Sequence, residues 1–294
     1  MAPIGNKAPE SRRLGVIDGL RGLAILGILI MNIQAFGRIE RAYLLPDIHE
    51  PLSVLDRWFQ GLGYFLAEQV FVSLLSCLFG IGIWLLAQND QRAGRNPVTQ
   101  QRRRSLGLLF IGLLHAYLIW TGDILVAYAL AAWLLAPAVH WSARRQWQIG
   151  LLCLAVMPAL GVLEVVAIPV ESRQAIYSAD PAAFQAEIQA LTGSWWQNQH
   201  WRMARTLEVH LLGLPFGTLW FVAGWMLVGM ALYRSGYAAG GWSSRNYMRV
   251  MVATLLAGLL IKAAGYPLHF QPAWVSLSWS LFSQVGAACQ MLAY

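Results

Sequence analysis

The feature that most constrains this chain is a succession of apolar runs, each long enough to cross a bilayer and nearly free of charge. They occupy about 20–36, 67–87, 105–121, 124–141, 148–170, 209–233 and 250–266, and an eighth begins near Trp274. A spanning helix needs about 20 predominantly apolar residues. Inside lipid such a run becomes a helix, because a helix pairs its own backbone polar groups. The sequence therefore predicts an all-α, polytopic transmembrane helix bundle of about eight spans, forming one domain over residues 1–294. Composition agrees. Charged residues are 12% of the chain and hydrophobic residues 57%, against about 25% charged in soluble domains. The last run ends at Tyr294 with no polar exit, the pattern expected of a bundle truncated at its C-terminus.

The charge pattern orients the bundle. With the N-terminus in the cytoplasm, fourteen of the 21 basic residues fall in cytoplasmic segments and seven outside, as the positive-inside rule requires. The basic segment 88–104 is then a cytoplasmic loop, and 37–57 and 171–208 are non-cytoplasmic connections. Lys262 counts among the outer basic residues. Residues 52–66 read as an interfacial approach to the second span. Asp180-Pro181 reads as a helix start, with a capping side chain and proline at the first helical position, for a helix running through Leu191. Asp18 and Arg21 at the head of the first run, and the lack of a small-residue cleavage site after Met31, argue for a retained helix over a signal peptide. The net charge of +7 sits in short loops rather than on one aromatic-lined face, which speaks for topology and against nucleic acid. Cys77, Cys153 and Cys289 each lie in an apolar run with no metal-ligand spacing, so they read as buried small hydrophobes and no metal is expected.

Ionisable groups at membrane depth are costly, about 2.5–3.5 kcal/mol each on insertion scales, so each needs a reason. Asp18 and Arg21, three apart, form either an interfacial ion pair or an anion site at a helix start. His115 lies deep in the third run, as a packed core residue or a proton-transfer group. Asp123 follows at the Gly122-Asp123 turn. A continuing helix would set it about 12 Å and 80° from His115, whereas a hairpin folds it back; capping is its other reading. Glu68 and Gln69 open the second run, where an interfacial position is the simple reading. Asn32 can hydrogen-bond a neighbouring helix, and Ser73, Ser76, Cys77 and Gly80 form a small-residue face for close packing.

Three segments together carry a resemblance: Val16-Ile17-Asp18-Gly19-Leu20-Arg21-Gly22-Leu23-Ala24 with Asn32; Leu78-Phe79-Gly80-Ile81-Gly82; and Gly112-Leu113-Leu114-His115 with Trp120-Thr121-Gly122-Asp123-Ile124-Leu125-Val126-Ala127-Tyr128. Gly229-Met230-Ala231-Leu232-Tyr233-Arg234-Ser235-Gly236 fits as well. The pattern resembles the YeiB-like family of bacterial inner-membrane proteins, a family of unknown function. The resemblance covers essentially the whole chain. It implies a multi-pass protein of the bacterial plasma membrane. It also implies a fold related to transmembrane acyltransferases such as heparan-glucosaminide acetyltransferase, and helices continuing past Tyr294. Glu68-Gln69-Val70-Phe71 departs from the family, whose members often carry Lys-Phe there.

Through that relationship the chain is expected to move an acyl group from a cytoplasmic acyl-coenzyme A donor to an unidentified acceptor, with no permanently bound cofactor. His115 and Asp123 are the expected catalytic residues. Arg21, Arg102, Arg103 and Arg104 are expected to meet the donor's phosphates, and Asp18, Asn32, Glu68 and Tyr128 to line the substrate site. Two other classes use the same residues: a proton-coupled transporter of a small anionic metabolite, and a non-catalytic membrane assembly protein. The lipid bilayer is the one partner the sequence names.

Overall fold

The computed structural model describes residues 9–48, 51–178 and 180–293. The regular elements among the described residues are all helical, with no strand. In chain order the elements are α1 (Pro9–Gly37), α2 (Arg41–Leu44), α3 (Val54–Leu66), α4 (Val70–Arg92), α5 (Pro97–Leu118), α6 (Leu125–Leu134) and α7 (Ala143–Ala167). Then follow α8 (Val170–Tyr177), α9 (Pro181–Thr192), α10 (Trp195–Glu208), a π-helical segment Val209–Thr218, α11 (Leu219–Arg234) and α12 (Ser244–Gly265). The chain closes with a 3-10 turn Tyr266–Phe270, α13 (Val275–Leu277), a second π segment Ser278–Ser283 and α14 (Gln284–Met291).

Five helical stretches are long and apolar enough to cross a membrane: Gly15–Phe36, Val54–Arg92, Ala143–Ala167, Trp195–Arg234 and Ser244–Phe270. The chain is thus a multi-pass membrane protein. The other three apolar runs fold differently. The run 105–121 is the second half of α5, whose first half carries Arg102, Arg103 and Arg104. The run 124–141 is a ten-residue helix, α6, followed by the 3-10 turn Ala136–His140. The run from Trp274 is divided between α13, the π segment and α14.

Two stretches are too long for one span. Val54–Arg92 has 39 residues and Trp195–Arg234 has 40, about 60 Å each as straight helices against a hydrocarbon core of about 30 Å. The first breaks at residues 67–69, where Gln69 adopts φ 62°, leaving α4 as a span of its own. The second runs from the polar α10 through its π segment into the apolar α11. The segment 171–208 is accordingly three helices, and Asp180 caps α9 through the Ala182 N–H at 3.0 Å. The basic segment 88–104 is built of the ends of α4 and α5, joined at residues 93–96, where Gly94 takes φ 68° and Asn96 caps α5 with Pro97 at its first turn.

The core lies where α4 meets α11. An ideal Cβ on Gly80 would collide with the Met226 carbonyl, and one on Gly229 with the Cys77 carbonyl. The two helices therefore approach backbone to backbone, as small residues permit in membrane bundles. Ser73, Ser76 and Cys77 line the same buried face, and the Ser73 and Ser76 hydroxyls donate to carbonyls one turn back.

Candidate active site at the end of α5 and a buried charged centre

The C-terminus of α5 leaves carbonyls without helical partners, and α10 supplies donors. Thr206 Oγ1 donates to the Ala116 carbonyl at 3.1 Å, Gln199 Nε2 to that of Tyr117, and Arg202 Nη1 to that of Ile119 at 2.6 Å. Such side-chain partners are what a helix end needs where water is scarce. Arg205 ties α10 in turn to Glu40 at 2.6 Å, and within α10 it pairs with Glu208 at 2.5 Å. The Glu40 N–H donates to Glu187 on α9 at 2.7 Å. A cap of α2, α9 and α10 thus fixes the end of α5.

Beneath that cap the chain turns at Gly122 and returns as α6. The turn brings Asp123 back onto α5, with Asp123 Oδ2 2.7 Å from His115 Nδ1. Asp123 Oδ1 accepts from the Val126 N–H at 2.9 Å, so the carboxylate also caps the start of α6. An ionised carboxylate only accepts, so Nδ1 carries a proton towards it, and in the neutral imidazole Nε2 is then the acceptor. The Asp123 side chain is 1% exposed and that of His115 is 32% exposed. The carboxylate is sealed while the imidazole reaches open space. His210, in the π segment, stacks edge-on against Tyr117 at 5.4 Å. π segments often mark functional positions in helices.

At the opposite end of α5 a groove of about 340 Å³ opens between α1, α4 and α5. Arg21 and Arg104 stand at it with buried Gln101 and Ser105, and Phe79, Ile83 and Leu108 are among its apolar walls. Arg104 grips Asp90 through two bonds of 2.7 and 3.1 Å, and Arg21 pairs with Asp18 at 2.9 Å. Arg104, Leu108 and His115 share one face of α5. Eleven residues separate Arg104 from His115, about 16 Å of rise and about 20° of rotation. The four arginines expected at one site are divided. Arg102 lies 4.6 Å from the Trp133 ring centroid, Arg103 is exposed, and only Arg21 and Arg104 meet at the groove.

The other expected site residues scatter. Tyr128 is buried in the core, its hydroxyl 2.8 Å from Ser76 Oγ. Asn32 is half-buried on α1, and Asp18 is exposed. Glu68 is buried rather than interfacial, accepting from the Tyr43 hydroxyl at 3.2 Å. Burial first, then the Glu68 carboxylate, hold the Tyr43 phenol well above its ordinary range, so it remains a donor.

Beside Glu68 lies a centre that sequence reasoning missed. Lys262 is fully buried. Its Nζ donates to the carbonyls of Tyr64 at 2.9 Å and Glu68 at 2.8 Å, both released by the break between α3 and α4. Gln290 Nε2 donates to the third freed carbonyl, Phe65, at 2.8 Å. A lone lysine inside the apolar run 250–266, in a chain whose basic residues are otherwise almost all arginine, was the available signal.

No protein-family model matches the chain, and no solved structure does. Over 285 residues it is 30% identical to the uncharacterized protein YeiB of Escherichia coli K12, across 90% of this chain and 67% of that protein. It is 35% identical over 139 residues to the uncharacterized protein YxaH of Bacillus subtilis 168, across 42% of this chain and 32% of that one. It is 33% identical over 125 residues to an uncharacterized 39.9 kDa protein in the amylase 3' region of Bacillus acidopullulyticus, across 42% of this chain and 34% of that protein. The chain therefore spans about two thirds of the first relative and about a third of each of the others. Its likeness to the first runs nearly end to end, and the chain belongs to the YeiB family.

Proposed function

We propose that this protein is a membrane-bound acyltransferase that works at the His115–Asp123 dyad, in a bundle of about eight spans with a cytoplasmic N-terminus in the bacterial plasma membrane. The observation that carries the reading is the 2.7 Å contact between His115 and a sealed Asp123, on the same face of α5 as the groove at Arg21 and Arg104. In this reading the donor is an acyl-coenzyme A thioester. Its phosphates rest on Arg21 and Arg104, guanidiniums being suited to phosphate oxygens. Its arm runs along the groove past Gln101 and Ser105 towards His115, and a reach of about 16 Å asks for a long, flexible donor.

The chemistry follows from the dyad. His115 Nε2 takes the proton from an acceptor hydroxyl or amine as that group attacks the thioester carbonyl. The carbon–sulfur bond breaks, the acyl group passes to the acceptor, and the thiolate leaves with the proton returned by the imidazolium. Asp123 fixes the Nδ1–H tautomer and stabilises the imidazolium, the part a carboxylate plays beside a catalytic histidine. The test is binding of a fluorescent acyl-coenzyme A to the protein in nanodiscs. R104Q and R21Q should weaken it severalfold each, and more so at low salt. Binding unchanged in both variants rules out the groove as the donor site.

Proton-coupled transport keeps a second claim on one observation, the wholly buried Lys262 beside the buried Glu68. Intramembrane charged groups of this kind commonly mark transport pathways. Uptake of a small anion into proteoliposomes driven by a proton gradient, without consumption of acyl donor, separates it from acyl transfer.

A further inference from the structure

The break between α3 and α4 has the composition of a cation site. Non-helical backbone at membrane depth persists only where protein or a cavity receives its polar groups. Here the freed carbonyls of Tyr64 and Glu68 converge on one ammonium, Lys262 Nζ, at 2.9 and 2.8 Å. The C-terminal end of α3 directs the negative end of its dipole at the same place. The buried Glu68 side chain adds a carboxylate nearby. Several buried atoms beside this centre make no hydrogen bond within the protein: His269 Nδ1, Gln60 Oε1 and Gln290 Oε1. They belong to one neighbourhood. The Tyr64 and His269 rings are 5.0 Å apart, Gln60 Nε2 is 3.2 Å from His269 Nε2, and Gln290 shares the break with Lys262. Buried polar atoms left over in such number call for water or an ion.

We propose that the α3–α4 break is a binding site for a monovalent cation, that the Lys262 ammonium is its resident cation, and that the unpaired polar atoms line a hydrated chamber beside it. The site lies apart from the His115–Asp123 dyad and stands whether that dyad transfers acyl groups or relays protons. Tyr64 and Glu68 meet the ammonium directly, through their carbonyls and, for Tyr64, a ring centroid 5.8 Å from Nζ, and the Tyr43 hydroxyl bonds the Glu68 carboxylate. A tethered amine thereby fills a place where a free ion would otherwise have to be taken from water.

Two measurements on the full chain in nanodiscs test this. The sequence has only two lysines, Lys7 and Lys262, so ¹⁵Nζ-lysine labelling reads Lys262 almost alone. At pH 6 the expected signal is a protonated ammonium in slow exchange with water. The second measurement is thermal unfolding of K262A and K262M in sodium, methylammonium or N-methylglucamine chloride at equal ionic strength. In K262A the emptied site should admit the small cations, raising the unfolding temperature by about 3 °C or more over N-methylglucamine. Wild type, and K262M with its site filled by hydrocarbon, should not respond. A neutral-amine signal for Lys262, or a folded K262A indifferent to all three cations, overturns the proposal. If neither variant folds, the nitrogen signal of the wild type decides alone.

Discussion

Replacing Asp123 separates its two tasks, because each carboxylate oxygen has its own partner. Oδ1 caps α6 through the Val126 N–H at 2.9 Å, and Oδ2 holds His115 Nδ1 at 2.7 Å. Loss of a helix cap costs about 1 kcal/mol, and loss of a hydrogen bond to a charged group about 1.5–3 kcal/mol. D123A loses both, about 2.5–4 kcal/mol, which corresponds to a fall of roughly 5–15 °C in unfolding temperature. D123N keeps an oxygen for the cap and should lose less. Its amide offers N–H where the carboxylate offered a lone pair, so the imidazole must accept at Nδ1 and carry its proton on Nε2. The base is then lost while the fold stands, and the analogous change in a catalytic triad lowers turnover by about 10⁴. Tryptophan fluorescence reads unfolding, and ¹⁵N-histidine spectra in nanodiscs read the tautomer. The reasoning fails if D123A unfolds within about 2 °C of wild type, or if His115 in D123N keeps its proton on Nδ1.

Other outcomes follow from the packing. G80A or G229A should force α4 and α11 apart, since each added methyl meets a carbonyl of the other helix; a loss of about 1–3 kcal/mol or more is expected, read by thermal unfolding. R202A removes a donor to the end of α5 and should speed hydrogen exchange of the α5–α6 turn with little effect on the α4–α11 core. Y43F takes away the hydroxyl donor of the buried Glu68, and a loss of about 1–3 kcal/mol is expected for a carboxylate left short of a partner, measured by the same unfolding assay. S76A should cost about 1 kcal/mol through the Tyr128 contact and leave donor binding unchanged.

How much of this was legible in the sequence depends on the range of the interactions. Helix starts are local, so Asp180-Pro181 marked α9 within a residue. The separation of an interfacial approach, 52–66, from a span beginning at 67 fell at the break itself, because Glu68-Gln69 interrupts the apolar run. The turn at Gly122-Asp123 was readable too, and with it the chance that Asp123 returns to His115. What escaped depends on which distant helices meet. Lys262 sits 198 residues from Tyr64, and its counting as an outer-face charge followed from position along the run alone. The three donors that α10 sends to the end of α5 cross more than 80 residues and leave no pattern in either segment. Arg102, Arg103 and Arg104 looked like one basic cluster, yet consecutive residues on a helix point about 100° apart, so only Arg104 reaches the groove.

The proposed activity turns on whether His115 handles an acyl group. Release of free thiol from acyl-coenzyme A, followed in nanodiscs with candidate acceptors and with H115A as the control, tests this most directly. Acyl transfer at the dyad should give thiol release by the wild type, acyl label on an acceptor or on His115, and loss of both in an H115A variant that unfolds near the wild-type temperature. Thiol release that persists undiminished in a folded H115A, or a wild type that releases none from any acyl donor, would contradict it.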